Sequence, residues 1–344
     1  MPTISRDTTG RTSVAVSLTG LLISIAGLWY AFRGVNLSAM VNGIGQVGMA
    51  WIAGSVACGL LSHVVRALRW GMLLVGGQTV STASLVSATF IGVMANNLLP
   101  ARLGEVVRAW VLARREQRSI STVLASILVE RLLDVIVVLA VLGLCLAVTP
   151  DLGMGATSLL KQTGLVVLLL VAAGVAGLLI AVRLRARLLR VGERWGTQPR
   201  RAWASRGLEL LRGCLDGLCV LRGGSQAVSV AGLSLLVWAT AIASFHLLAE
   251  GFDLGLTLVQ TTLVLVIVLF GIAIPSAPGF VGTFHGFCVA GLVMVAGIEP
   301  TRAATYATLL HGSHWLAMNL VGIGCLLVNR SLTWAGVTSL AKRA

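Results

Sequence analysis

Polar and charged side chains interrupt an apolar stretch at residues 96–108, and their spacing is suited to binding an anion. This first set is Asn96, Asn97, Arg102, Glu105 and Arg108. Arg102 and Arg108 lie three residues before and after Glu105, so the three share one helix face and can form ion pairs. Pro100 breaks the helix, and the backbone N–H groups left there would suit a phosphate beside two arginines. The alternative is that the charges neutralise one another and cap the broken helix, and the residues alone leave both interpretations open.

A second set, Glu130, Arg131 and Asp134, lies in a span that otherwise consists of Leu, Val and Ile. A charged residue at membrane depth costs about 2.5–3.5 kcal/mol on insertion scales. Glu130 and Asp134 are one helical turn apart, so both should face a polar interior. We expect their cationic partners to be Arg102 and Arg108. A purely structural buried network is the alternative.

A third set surrounds a break near residue 280: Pro275, Ser276, Pro278, Gly279, Gly282 and His285. Two prolines and two glycines leave backbone groups unpaired, and such groups are tolerated at membrane depth only in a protein-lined or wet cavity. We expect this break to frame the other end of a substrate path, whereas the alternative is a simple helix–loop–helix connection. His285 can titrate near neutral pH, but such a histidine also serves as a hydrogen-bonded core residue. The spacing of His311, Trp315 and Asn319 by four favours packing.

The composition of the whole chain indicates a membrane protein. Of its 344 residues, 57% are hydrophobic and 11% are charged, against about 25% charged in soluble domains. The formal net charge of +14 comes from basic residues in short runs between apolar stretches. These features exclude a soluble enzyme and a disordered nucleic-acid-binding chain, so we expect no nucleic-acid partner. The sequence has no nucleotide-binding or hydrolase motif and no metal-ligand spacing, so we expect no cofactor and no metal.

Uncharged runs of about 20 residues predict an all-α polytopic membrane bundle of about eight spans. The runs are 12–32, 34–65, 70–101, 162–182, 223–249, 254–298 and 303–329, with a charged span at 120–148. We expect a single transmembrane domain, 1–344, in a bacterial inner membrane. The excess of Arg and Lys places both termini (1–11 and 330–344) and segment 183–222 in the cytoplasm. That segment predicts an amphipathic helix lying on the cytoplasmic leaflet, with a solvated connector as the alternative.

The same rule predicts a segment that enters and leaves the membrane on one side. Arg66, Arg69 and Arg114 should all be cytoplasmic, so residues 81–113 should be re-entrant and broken at 96–100. The run 257–298 is either re-entrant or two full spans. Each half of the chain then reads span, broken hairpin, span: 48–66, 82–112, 119–148, and 228–250, 257–298, 303–328. Opposite orientation of the halves would make an inverted repeat, which is typical of transporters.

Four motifs occur in order along the chain. They are Arg66-Ala-Leu-Arg69-Trp70, Asn96-Asn97-Leu-Leu-Pro-Ala-Arg102-Leu-Gly104-Glu105-Val-Val-Arg108, Val129-Glu130-Arg131-Leu-Leu-Asp134, and residues 275–284. Together they resemble the lysylphosphatidylglycerol synthase transmembrane, or flippase-like, family over about 45–328. The resemblance implies a helical module that translocates aminoacylated phosphatidylglycerol and that is fused, in better-known relatives, to a soluble aminoacyl-transferase domain. The chain ends 14 residues after Arg330, so we expect it not to synthesise lysyl lipid itself. The family often carries Glu where His285 stands, which argues against an acid role there.

The sequence therefore predicts a lipid translocase that moves an anionic phospholipid or lipid-linked headgroup across the membrane without ATP. Arg102 and Arg108 would bind the headgroup, while the neighbouring acids hold the arginines in place or compete with the phosphate. Two alternatives stay open: an intramembrane enzyme acting on polyprenyl-phosphate-linked sugars or glycolipids, and an accessory partner of a lipid-modifying synthase. The expected partners are membrane lipids, such a synthase, and further copies of the chain in a homo-oligomer.

Overall fold

The computed structural model describes residues 7–74, 80–99, 103–148, 157–187, 189–190, 202–219 and 223–329, and these form helices and turns without a strand. The first half of the chain contains α1 (Asp7–Phe32), α2 (Leu37–Gln46), α3 (Met49–Leu73), α4 (Thr82–Leu98), α5 (Gly104–Arg115) and α6 (Ile120–Val148). The second half contains α7 (Thr157–Arg183), α8 (Ala202–Leu218), α9 (Gly224–Gly251), α10 (Leu258–Ala273), α11 (Thr283–Ala296) and α12 (Pro300–Val328). The prediction of an all-α bundle is confirmed.

Capping residues explain where several of these helices begin and end. Asn36 precedes α2, and its Oδ1 accepts the backbone N–H of Ala39 at 3.1 Å. Thr257 and Gln260 form a capping box at the start of α10, in which each side chain bonds the other residue's backbone N–H. Gly297 ends α11 with a φ of +65°, the left-handed conformation that glycine adopts at helix C-termini.

Four stretches of the described chain are long and apolar enough to cross a membrane: Met49–Leu73, Gln162–Ile180, Gly224–Gly251 and Pro278–Ala296. Together α1 and α2 would make a fifth, although the chain bends by 82° between them. In addition, α6 and α12 have 29 residues each, which is about 44 Å at 1.5 Å per residue. The chain is therefore a multi-pass membrane protein. The count of about eight spans stays a prediction.

In each half of the chain a long helix, two shorter helices and a long helix follow one another. That these are a span, a broken hairpin and a span stays a prediction. In the first half α3 is followed by the short helices α4 and α5 and then by α6; in the second, α9 is followed by α10 and α11 and then by α12. With 16 and 14 residues, α10 and α11 measure about 24 and 21 Å. They pack along each other, and α1 packs on α11. The length of α10 falls short of a 30 Å hydrocarbon core, whereas Pro278–Ala296, which contains α11, is long enough to cross it. Both a re-entrant hairpin and two full spans therefore stay open.

The chain divides into two compact units, each assembled from separated stretches. Unit 1 comprises Met1–Gly59, Val93–Gly104 and Ile242–Val321, and unit 2 comprises Leu60–Gly92, Glu105–Ala241 and Gly322–Ala344. In unit 1 the core lies among α9 to α12 and includes Tyr306, whose hydroxyl donates to the carbonyl of Phe245 at 2.8 Å. In unit 2, α6 packs on α7 and α8. The predicted single domain therefore contains two cores.

The amphipathic helix predicted in 183–222 includes α8, and part of its apolar face packs on protein. Leu215 and Leu218 are buried, and Leu218 belongs to a core cluster with Val129 of α6. Gly213 and Gly217 allow this close approach, since a Cβ on Gly213 would lie 2.6 Å from the Cβ of residue 125. Leu211 of the same helix is exposed, so the position of this segment on the cytoplasmic leaflet stays a prediction.

Candidate functional site

Seven charged side chains from three helices meet inside unit 2, and we call this group the charge cluster. Its members are Arg66 and Arg69 of α3, Glu105 and Arg108 of α5, and Glu130, Arg131 and Asp134 of α6. Four guanidinium groups face three carboxylates, so the cluster carries one net positive charge.

Glu130 lies at the centre of the charge cluster and has no solvent exposure. Its Oε2 is 2.9 Å from Nη1 of Arg108, and its Oε1 is 3.0 Å from Nη2 of Arg131. Arg66 and Arg69 each place a guanidinium nitrogen 3.5 Å from the same Oε1. Because a buried carboxylate is tolerated only when it is paired, these contacts account for an acid in the middle of an apolar helix.

Asp134 lies one turn further along α6 and is paired with both arginines of α3. Arg69 donates from Nη2 to Oδ1 of Asp134 at 2.8 Å, and Arg66 donates from Nη1 to the other carboxylate oxygen. Arg69 is fully buried and donates a further bond to the hydroxyl of Ser234 in α9 at 3.1 Å. The deep part of the cluster is therefore a network of buried ion pairs.

Two tryptophan rings lie against arginines of the charge cluster. The guanidinium carbon of Arg108 lies 3.9 Å from the ring centroid of Trp70, and that of Arg66 lies 5.7 Å from Trp238. Trp70 is fully buried, and its ring N–H donates to the hydroxyl of Ser126 at 2.9 Å, which fixes the plane of the ring. A guanidinium stacked on an aromatic face gains cation–π attraction and keeps its N–H groups pointing outward along its plane.

One side of the charge cluster is open, because the side chains of Arg131 and Glu105 are 41% and 37% exposed. Nε of Arg131 lies 3.8 Å from Oε1 of Glu105, and Nη1 of Arg108 lies 3.9 Å from Oε2. These contacts are about 1 Å longer than those that Glu130 makes with Arg108 and Arg131. Long, partly exposed ion pairs contribute little, so this is where a charged ligand can enter.

Arg108 is buried, and two of its guanidinium nitrogens have no hydrogen-bond partner in the ranges that the structure describes. Its Nε and Nη2 have no acceptor within the described part of the chain. The Nε atoms of Arg69 and Arg131 also lack an acceptor there. A buried donor without a partner costs about 1–3 kcal/mol, so an added acceptor would be favourable at these nitrogens. Oε2 of Glu105 and Oε2 of Glu130 are likewise buried without a hydrogen-bond partner among the described residues. An anion with several oxygen atoms, such as a phosphate, matches this set of donors.

The second break is the segment between α10 and α11 in unit 1. Two of its residues are glycines with a positive φ, a conformation that glycine adopts without strain. Gly279 and Gly282 have φ values of +69° and +95°. A Cβ on Gly282 would lie 2.1 Å from the carbonyl oxygen of Ser24 in α1, and the Ser24 hydroxyl accepts the N–H of residue 277 at 2.8 Å. The break is therefore held against α1, which sequence reasoning did not find. The small residues Gly20, Ser24 and Gly27, four and three positions apart on one face of α1, are the signal that could have found it.

The end of α4, where the first break begins, lies against the second break inside unit 1. Asn96 accepts the N–H of Gly104, the first residue of α5, at 2.7 Å and so caps that helix. The carbonyl oxygen of Asn97 lies 3.2 Å from where a Cβ on Gly279 would be, and Nε1 of Trp315 lies 2.9 Å from the same point. For Asn96 the structure thus supports the capping alternative.

His285 and His311 lie together beside the second break. Their ring centroids are 4.9 Å apart, and the ring of Phe284 stacks on His311 at 4.7 Å. Nε2 of His311 bonds the carbonyl oxygen of Gly279 at 2.8 Å, so α12 supports the break by a hydrogen bond as well as by packing. Nδ1 of His285 and Oγ of Ser276 are buried without a partner among the described residues.

Comparison with known proteins agrees with this architecture. The model of the lysylphosphatidylglycerol synthase TM region family matches residues 17–322. The chain belongs to this family. A glycosyltransferase named AglD, from Haloferax volcanii, is 24% identical over 92% of this chain and 55% of its own length. The chain therefore spans about half the length of that curated relative. No solved structure matches the chain significantly.

Membership of the lysylphosphatidylglycerol synthase TM region family confirms the resemblance, and the matched region also includes most of α1. Within it the first predicted set is divided: Asn96 and Asn97 lie in unit 1, whereas Glu105 and Arg108 lie in unit 2. Arg102 and Pro100 lie outside the described residues.

The predicted partners of the two intramembrane acids need a correction. Arg108 does pair with Glu130, but Asp134 pairs with Arg66 and Arg69, which the sequence had placed at the cytoplasmic end of a span. Their spacing by three on α3, followed directly by Trp70, was the available signal. This spacing places two long cationic side chains on the same face of α3 as the ring of Trp70.

Proposed function

We propose that this protein translocates lipids with an anionic headgroup across a bacterial inner membrane, with the charge cluster as the headgroup site. The observation that carries the proposal is Arg108: a buried guanidinium, stacked on Trp70, with two nitrogens that lack an acceptor. The net positive charge of the cluster and its exposed edge at Arg131 favour an anion that enters from one side. The described residues hold no group of three or more metal-ligating side chains, and the proposal needs none.

Purified protein in liposomes tests this proposal. Fluorescent phosphatidylglycerol and phosphatidylcholine report on an anionic and a zwitterionic lipid, and quenching of the outer leaflet measures their exchange. We expect faster movement of phosphatidylglycerol, and a reduction of about tenfold or more in Arg108→Gln, because a lost hydrogen bond to a charged group costs about 1.5–3 kcal/mol.

The matched control is Arg185→Gln, since Arg185 pairs with Asp216 on a half-exposed surface of the same unit. It should leave lipid movement unchanged. Equal rates for the two lipids, or an Arg108→Gln variant as fast as the wild type, would refute the headgroup site.

A second candidate is an intramembrane enzyme or accessory subunit acting on polyprenyl-phosphate-linked sugars or glycolipids. It is favoured by the relative named as a glycosyltransferase. Formation of a glycolipid by the pure protein in detergent, from a polyprenyl phosphate and a sugar donor, would support the enzyme. Co-purification with a lipid-modifying synthase, in the absence of lipid movement in liposomes, would support the accessory subunit.

A further inference from the structure

Three helices of unit 1 bring one histidine and two serines into a hydrogen-bonded group, which we call the histidine–serine group. Nε2 of His314 in α12 lies 2.8 Å from Oγ of Ser244 in α9, and its Nδ1 lies 2.8 Å from the carbonyl oxygen of Leu310. Oγ of Ser244 is also 2.8 Å from the carbonyl oxygen of Ser55 in α3. The hydroxyl of Ser55 donates to the carbonyl of Ser244 at 2.7 Å. The serines are buried, and His314 is partly exposed.

A neutral His314 cannot satisfy these contacts together. The carbonyl of Leu310 only accepts, so Nδ1 carries a hydrogen, and Nε2 of a neutral ring is then an acceptor. The hydroxyl of Ser244 has one hydrogen, which would have to serve both Nε2 and the carbonyl of Ser55. One of the two 2.8 Å contacts of the Ser244 hydroxyl, with Nε2 or with the carbonyl of Ser55, therefore joins two acceptors with no hydrogen between them.

One added proton removes this conflict. Nε2–H of the imidazolium donates to Oγ of Ser244, the Ser244 hydroxyl donates to the carbonyl of Ser55, and Nδ1–H keeps its bond to Leu310. Each hydrogen then has an acceptor, and the charge faces three oxygen dipoles. Gly59 of α3 makes room for the ring, since a Cβ there would lie 2.6 Å from its Cδ2 and Nε2.

On the described parts of α3, α9 and α12, no permanently charged residue lies within one turn of the histidine–serine group. Along the three helices, the titratable residues within one turn of Ser55, Gly59, Ser244 and His314 are Cys58, His63, His246 and His311. From α11, His285 faces His311. The nearest acid on these helices is Glu250, beyond His246 near the end of α9. Because a buried cation without a counter-ion costs free energy, a proton here would be held weakly and released readily.

From this geometry we infer that His314 is a proton-binding site. Hydronium from the aqueous phase gives up a proton and becomes water, an N–H bond forms at Nε2, and the positive charge stays on the imidazolium. Histidines within membrane spans serve as proton relays in transporters. Loading and unloading of His314 would couple lipid movement to a proton gradient; this coupling rests on the proposed function, whereas proton binding does not.

Solid-state NMR of protein labelled with ¹⁵N-histidine in lipid bilayers measures the protonation of each ring nitrogen. The five histidines are assigned with single His→Gln variants. We expect Nε2 of His314 to gain a proton as the pH falls from about 8 to about 5. Ser244→Ala removes the bridging hydroxyl and should lower the ratio of protonated to neutral ring about tenfold at a given pH.

The matched control is Ser55→Ala, which keeps the backbone carbonyl and should titrate like the wild type. A His314 ring that stays a neutral Nδ1–H tautomer down to about pH 5 overturns the proposal. A titration of Ser244→Ala identical to that of the wild type also overturns it, because the protonated form would then not depend on the chain of acceptors.

Lipid movement under a proton gradient tests the coupling in a second arm. With the membrane potential clamped by potassium and valinomycin, a gradient of one pH unit biases the distribution of phosphatidylglycerol by up to about tenfold if one proton moves per lipid. His314→Gln should remove this bias. Wild-type protein that moves the lipid without bias overturns the coupling. Wild-type protein that moves no lipid overturns the proposed function, and the NMR titration still decides the proton site.

Discussion

Replacing Glu130 by glutamine should destabilise the protein far more than removing a surface ion pair. Gln keeps the shape of the side chain but leaves the guanidinium groups at 2.9 and 3.0 Å facing a neutral amide in a buried site. Breaking a buried pair in this way typically costs about 3–5 kcal/mol. Asp216→Asn is the control, since its pair with Arg185 is half-exposed and worth about 0–1 kcal/mol.

The size of the interaction follows from a double-mutant cycle of Glu130→Gln with Arg108→Gln. Each single change takes one partner away from a buried charge, while the double change removes both members of the pair. The loss in the double variant should therefore be smaller than the sum of the single losses, by about 0.5–3 kcal/mol. The cycle of Asp216→Asn with Arg185→Gln should be additive within about 0.5 kcal/mol.

Unfolding in mixed micelles of increasing SDS content, followed by tryptophan fluorescence, gives the free energy for each variant. Additivity of Glu130→Gln and Arg108→Gln would show that the two side chains do not stabilise one another, whatever their distance. A loss in Asp216→Asn as large as that in Glu130→Gln would refute the argument from burial. Either result removes the energetic basis of the charge cluster.

Three further changes test the breaks and the helix caps, each by the free energy of unfolding. Gly282→Ala should cost at least about 1–3 kcal/mol from its positive φ alone, and the carbonyl of Ser24 at 2.1 Å from the new Cβ adds to this. Asn96→Ala should cost about 1 kcal/mol, because it removes the cap of α5, whereas Asn96→Asp keeps the acceptor and should cost less. Glu299 accepts the backbone N–H of Thr301 at 2.8 Å, and this bond is the main cause that lowers the pKa of its carboxyl. Its stabilising effect is therefore present above the ordinary value of about 4.5 and is lost as the pH falls through the lowered value, so the difference between wild type and Glu299→Gln should vanish in acid.

The helical framework could be predicted from the sequence because it depends on hydropathy and on chain-breaking residues. The span predicted at 120–148 is α6, and the break predicted around Asn96 and Asn97 falls at the end of α4. Pro275 and Pro278 likewise end α10 and precede α11. These signals are local, since proline and glycine act on the backbone of their own neighbours.

The pairing of the charges depended on contacts between distant helices and could be predicted only in part. The spacing of Glu130 and Asp134 correctly indicated a shared interior, but spacing says nothing about which helix supplies the cations. Arg66 and Arg69 end up beside Asp134 because α3 packs with its arginine face toward α6. Counting positive charges assigns both to a cytoplasmic end, which stays a prediction, but that rule describes averages over loops and does not say which side chains form ion pairs.

Within the proposed function, the uneven lengths of the ion pairs explain how a headgroup could bind and leave. The shortest contacts of Glu130 and Asp134 lie at 2.8–3.0 Å, whereas Glu105 is 3.8 Å from Arg131 and more than a third exposed. A phosphate can therefore displace Glu105 from Arg131 without opening the buried network. When it leaves, Glu105 can pair with Arg131 again, so neither state leaves that guanidinium unpaired. Binding is kept reversible in this way, which a carrier requires, because a site that held the headgroup with all four arginines would trap it.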